Sequence, residues 1–174
     1  PDPYVTQYCA PPSALPYPQA NIILPFPGDS NKYVLFHHGG SQADPNSLPL
    51  ISYYSVIDMT LDGGLGGVVQ SQKNVVLIQD TLNIGFTACK HANGRDWWVV
   101  IIKGKSNLIY KVLLTDQGVQ TPVTQSLGVA NVDRNTIQPG FSPDGKKFAY
   151  NYYDGPIGNA YNEVRIFDFD RCTG

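Results

Sequence analysis

The sequence predicts an all-β chain made of about three antiparallel, blade-like units, an incomplete segment of a β-propeller. Three observations carry this. The chain of 174 residues holds 17 Gly and 14 Pro, which suits short strands joined by turns and leaves little room for helix. Two stretches, TACKHANGRDWWVVIIKG at 87–104 and QPGFSPDGKKFAYNYYDG at 138–155, align without a gap as hairpins. A third strand follows each hairpin, and placing Ile57, Val112 and Phe167 in register gives two steps of 55 residues.

The elements follow in order. Residues 1–20 carry prolines at 1, 3, 11, 12, 16 and 18, a density that excludes helix and central strand and marks an extended arm or the tail of a preceding blade. A first unit spans 21–80. It opens with IILPFPGDSNKYVLFHHGG, a hairpin turning at Gly28-Asp29-Ser30-Asn31, and continues into YSVIDMTLDGG from Tyr54. There Ile57, Met59 and Leu61 alternate with Asp58, Thr60 and Asp62, so the first set is expected on the packed face. A second unit spans 81–133, with LIYKVLLTDQG as its third strand. A third unit spans 134–174, with EVRIFDFDRCTG as its third strand and no fourth. Fourth strands are expected at Asn74–Ile78 and Pro122–Leu127. Asn93-Gly94 and Asp144-Gly145 are the hairpin turns, dipeptides that tolerate the positive φ of a tight turn. The runs YVLF, WWVVII and FAYNYY read as middle strands covered on both faces. A two-sheet sandwich is the main competitor, and it does not by itself predict a fixed period.

Composition excludes some functions. Charged residues make up 15%, aromatics 11% and the net charge is −2, so the basic footprint of a nucleic-acid surface is absent. The longest apolar run, Trp97–Ile102, falls far short of the roughly 20 residues of a membrane span. Cys9, Cys89 and Cys172 are scattered without C-x-x-C spacing, so neither zinc nor a redox motif is indicated, and at most one intrachain disulfide is expected. The chain starts at Pro1, without Met or a signal segment, and is expected to be processed or cut from a longer polypeptide.

FSPDGKKFAY at 141–150 resembles the turn signature of WD-like propellers of the TolB type. In order, LPFPGDSNKYVLFHH, YYSVIDMTLDGGLGGVV, KHANGRDWWVV, FSPDGKKFAY and VRIFDFDRCTG resemble the N-terminal propeller region of large secreted or surface proteins of Bacteroidota, many exported by the type IX pathway. That resemblance covers residues 22–174. It implies an extracellular or cell-surface location and a non-catalytic binding or scaffold role, and it supplies no catalytic residues.

No residue set amounts to an active site, and no cofactor or metal is expected. His37 and His38 are adjacent on a strand and point to opposite faces, so they cannot share one metal. His91, in the KHANGRDWW turn, is suited to bonding a neighbouring strand, and no nucleophile stands near it in sequence. His37-His38-Gly39-Gly40-Ser41 has no G-x-S-x-G elbow to serve. Gly63-Gly64-Leu65-Gly66-Gly67 has Val69 where a dinucleotide loop needs its third Gly. Asp154, Asp168 and Asp170 match no calcium-loop spacing. The candidate binding residues are Tyr53, Tyr54, His91, Arg95, Trp97, Tyr152 and Tyr153, of which the aromatics would stack on sugar rings or receive a peptide if exposed. Thr81, in Asp80-Thr81-Leu82, resembles an O-glycosylation site of exported Bacteroidota proteins, in a turn between units. The expected partners are a protein or glycan ligand and further blades, from the same chain or from neighbouring chains. The alternative is the propeller portion of a secreted hydrolase whose catalytic residues lie outside this segment.

Overall fold

A computed structural model describes residues 19–39, 49–128, 136–154 and 161–174; the side chains of 136, 137, 152–154, 161 and 162 are outside the description. The described chain is all-β, with three antiparallel sheets and none closed into a barrel. No α-helix occurs among the described residues, and none of their helical turns is long and apolar enough to cross a membrane.

The first sheet contains β1 (Asn21–Pro25), β2 (Lys32–His38), β3 (Ile51–Asp58), the short β4 (Gly67–Val68) and β5 (Val75–Gln79), with β4 and β5 both pairing β3. The second contains β6 (Leu82–Lys90), β7 (Trp97–Lys103), β8 (Leu108–Thr115), β9 (Gly118–Val119) and β10 (Val123–Ser126), in the order β10-β8-β7-β6 with β9 also on β8. The third contains β11 (Thr136–Phe141), β12 (Lys147–Asp154) and β13 (Tyr161–Asp168), paired in chain order. The pairs β1–β2, β6–β7, β7–β8 and β11–β12 are each joined by a short connection that carries Gly, Asn or Asp, so these neighbours in sequence are neighbours in the sheet.

Side-chain alternation then decides how the sheets stack. Leu24, Val34, Phe36, Val56 and Ile78 of the first sheet meet Leu82, Phe86, Val99, Ile101, Val112 and Leu114 of the second in one core. On the opposite face of the second sheet, Cys89, Trp98, Val100, Ile102 and Ile109 meet Phe148, Tyr150 and Phe169. Residues 98–102 of β7 are therefore all buried, as the unbroken apolar run predicts. The strands β2 and β12 differ from that expectation. Burial alternates in β2, since only one face of its sheet meets another among the described residues.

Two further expectations need correction. Ile57, Met59 and Leu61 do not form the packed set of the first unit: Tyr54 and Val56 point to the core, Ile57 is half-buried on the other face, and Met59 and Leu61 are exposed. The strand ends at Asp58, whose carboxylate accepts the Thr60 N–H (2.9 Å) and hydroxyl (2.6 Å) and turns the chain out of the sheet. The two tight turns also work differently from the sequence reading. Only Gly94 (φ 75°) and Gly145 (φ 69°) have positive φ; Asn93 and Asp144 do not. The Gly94 and Gly145 amides donate to the carbonyls of His91 and Ser142, as in turns with Gly at the fourth position, and Pro143 suits the second. Asn93 and Asp144 act through their side chains, which accept the N–H of Arg95 and Asp96 and of Lys146 respectively.

Candidate functional site

Where the second and third sheets meet, the chain builds a groove of about 760 Å³ along β6 and β11. The pairing of β6 with β7 shifts register between Leu82 and Phe86. At the shift, Gly85 takes φ 112°, and a Cβ there would lie 3.0 Å from Cδ of Pro139, so a side chain at this position would push β11 away. Thr87, Ala88, Cys89 and Lys90 form one wall, with Trp97 beside them. Gln138, Pro139 and Phe141 form the other, and the Ser142–Gly145 turn and Arg171 close the end.

Arg171 ties the two turns together. Its Nε donates to the Lys90 carbonyl (2.8 Å), Nη2 to the His91 carbonyl (3.1 Å) and Nη1 to the Asp144 carbonyl (3.2 Å). Its own carbonyl accepts the Ala92 N–H and the Trp98 indole N–H, both at 3.0 Å. The stem crosses Gly145, where a Cβ would sit 3.0 Å from Arg171 Cδ.

His91 lies in the same knot. The Asn93 N–H donates to its Nδ1 (3.1 Å), which leaves the proton on Nε2, directed at the Cys172 carbonyl (3.1 Å). Both ring nitrogens are thus occupied, and the ring bonds across to the third unit. Arg95 is likewise engaged: Nε donates to Asp96 Oδ1 (2.8 Å) and Nη1 to Asp116 Oδ2 (2.7 Å). The hydrogen bond from Arg95 holds the Asp96 carboxyl below its usual range, and the Asn93 amide (2.8 Å) reinforces it. Arg95 is a brace between the β6–β7 and β8–β9 turns. Trp97 lies on the groove, but the Lys90 ammonium sits 3.8 Å over its ring, and the indole also packs against the core between the first two sheets. Its indole N–H is buried without an acceptor among the described residues.

The remaining candidates fall elsewhere. Tyr53 stacks on His37 (5.4 Å between centroids), on the face of the first sheet that looks away from the second. Tyr54 lines a separate cleft of about 590 Å³ between the first two sheets, with Lys32, Asp58 and Asp116. Tyr152 and Tyr153 are in β12, and their side chains lie outside the described residues. Thr81 is half-buried between β5 and β6; its N–H donates to Asp80 (2.7 Å) and its carbonyl accepts the Gly104 N–H. Among the described residues no three His, Cys, Asp or Glu side chains group as metal ligands. Cys89 and Cys172 are free thiols, and Cys9 lies outside the described residues.

No protein-family model matches the chain, and no curated protein matches it in sequence. The site therefore has to be read from its own chemistry. Lys90 and Arg171 donate to main-chain carbonyls, not to carboxylates, while Asp144 is bound by the Ser142 hydroxyl (2.6 Å) and the Lys146 N–H. Two cations against one carboxylate give the groove a positive balance. Sequence reasoning missed Lys90, Gln138 and Arg171. Lys90 had one local signal, its place opposite Trp97 across the hairpin; Arg171 had none, because the carbonyls its guanidinium meets lie 27 to 81 residues away in sequence.

Proposed function

We propose that this chain is a propeller segment that acts as a non-catalytic, extracellular binding and scaffold module, with the groove beside β6 and β11 as its ligand site. The observation that carries the reading is the double burial of the second sheet: Val99 and Ile101 face the first sheet, and Trp98, Val100 and Ile102 face the third. A two-sheet sandwich has only one inner face per sheet, whereas propeller blades stack in series. The same alternation recurs 51 residues on, where Phe148 and Tyr150 face the second sheet and Ala149 and Asn151 face outward. The groove has the size of small-ligand sites and combines cations, amides and hydroxyls with apolar walls. The sequence resemblance to secreted Bacteroidota propellers supports the surface location.

The test is to present the chain to arrays of acidic and neutral glycans and of peptides, alongside Lys90→Ala and Gln138→Ala. A ligand held by the wild type and weakened at least about tenfold by either substitution, with the fold retained, supports the reading. Capture that both variants preserve, or turnover of the captured ligand, refutes it.

A further inference from the structure

Asn93-Gly94 is the one Asn-Gly dipeptide in the sequence, and both residues are exposed. Asparagine is chemically labile, and before a glycine, which has no Cβ to hinder its nitrogen, it is most open to attack by the main chain. In that reaction the Gly94 nitrogen gives up its proton and bonds to Cγ of Asn93, ammonia leaves, and a five-membered succinimide forms. Water then opens one of the two ring carbonyls and leaves aspartate or isoaspartate, so the net change is water in and ammonia out.

The closed turn holds both reacting groups back. The Gly94 N–H donates to the His91 carbonyl (3.0 Å). The Asn93 side-chain oxygen accepts the N–H of Arg95 and of Asp96, both at 3.0 Å, and its Nδ2 donates to Asp96 Oδ2 (2.8 Å). Asp96 is buried and is itself held by Arg95 Nε (2.8 Å). Ring closure therefore has to release the Gly94 N–H and break the side-chain amide's hold on its three partners. The product cannot rebuild what was lost. It has no Nδ2–H for Asp96, and it adds a carboxylate to a turn that already holds that of Asp96, so like charges oppose each other. The same turn is joined to the third unit by the Ala92 N–H, which donates to the Arg171 carbonyl (3.0 Å), and by His91 Nε2 at the Cys172 carbonyl (3.1 Å).

We propose that Asn93 is a guarded modification site. It stays an amide while the β6–β7 turn is closed, deamidates through a succinimide with Gly94 when the turn opens, and thereafter favours the open turn.

Trypsin cuts after Lys90 and Arg95, so the peptide His91–Arg95 reports Asn93 by its mass and by the separate elution of its aspartate and isoaspartate forms. In mildly alkaline buffer Asn93 should convert at least about tenfold more slowly in the native chain than in the chain unfolded by urea, because conversion runs only through the opened fraction. A smaller difference overturns the inference. Asp96→Ala removes the acceptor of the side-chain amide and should raise the native rate at least about threefold while unfolding stays cooperative; an unchanged rate in the folded variant overturns it. Hydrogen exchange of the wild-type Gly94, Arg95 and Asp96 amides reads the same opening without any variant. Protection of at least about tenfold is expected, and exchange as fast as in the unfolded chain counts against the guard. Native chain carrying the converted residue should unfold at a lower urea concentration than unconverted chain, and equal midpoints would refute the one-way step.

Discussion

Replacing Arg171 with Ala removes the guanidinium that holds the turns of the second and third sheets together. Of its three acceptors, the carbonyls of Lys90 and His91 are partly buried, while that of Asp144 is exposed and can be satisfied by water. A hydrogen bond from a charged donor is worth about 1.5–3 kcal/mol, so the two sheltered ones set a loss of roughly 3 kcal/mol once some rehydration is allowed. For a domain of this size that lowers Tm by about 6–12 °C. Arg171→Lys keeps the charge but not the three-way geometry, and should recover less than half of the loss. Urea unfolding followed by tryptophan fluorescence is the direct assay, since the Trp98 indole donates to the Arg171 carbonyl. Hydrogen exchange should show the amides of β11–β13 opening first. An Arg171→Ala chain within about 0.5 kcal/mol of wild type would mean that packing alone docks the third sheet, and the reasoning would be refuted.

Three further outcomes are expected. His38 is buried, bonded through Nδ1 to Ser52 Oγ (2.8 Å), and burial, with a smaller contribution from His37, lowers its pKa from 6.5 to about 3. The unfolded chain then takes up a proton near pH 6.5 that the folded chain refuses until about pH 3, so stability is full above pH 6.5 and falls on acidification. Between pH 7 and 5 urea titrations should show a loss of about 2 kcal/mol, and a flat profile there would remove the argument. Gly145→Ala should destabilise by about 1–3 kcal/mol, since it meets both the positive φ and the Arg171 stem; an unchanged denaturation midpoint would count against it. Burial raises the Cys89 thiol to about 11, whereas Cys172 is exposed, so iodoacetamide with peptide mapping should label Cys172 in the native chain and Cys89 only after denaturation.

Strands were legible in this sequence where a turn signal and a hydrophobic period agreed. The hairpins around Gly94 and Gly145 come directly from Gly, Asn and Asp placement followed by β-branched and aromatic runs, and β5 and β10 overlap the fourth strands expected at 74–78 and 122–127. The face each strand presents was less legible. In β3 both Val56 and Ile57 are apolar, and alternation alone gives two sets; only the sheet opposite decides that Val56 is buried and Ile57 is not.

The site was legible only in part, and for a related reason. Counting aromatics and cations selects Trp97, Arg95 and His91, which lie in or beside the β6–β7 turn, but a side chain's role depends on what already saturates it. Arg95 lies between Asp96 and Asp116, and the second of these comes from the β8–β9 turn. His91 is saturated by Asn93, two residues away, and by the Cys172 carbonyl, 81 residues away. Lys90 and Arg171, which the same pattern passes over, keep their charges facing carbonyls and so remain able to attract an anion. A ligand that needs the groove should therefore be more sensitive to Lys90→Ala than to Arg95→Ala when both variants fold. Isothermal titration of any ligand captured on the arrays tests this ordering, and a larger loss from Arg95→Ala would show that the turn surface, not the groove, receives the ligand.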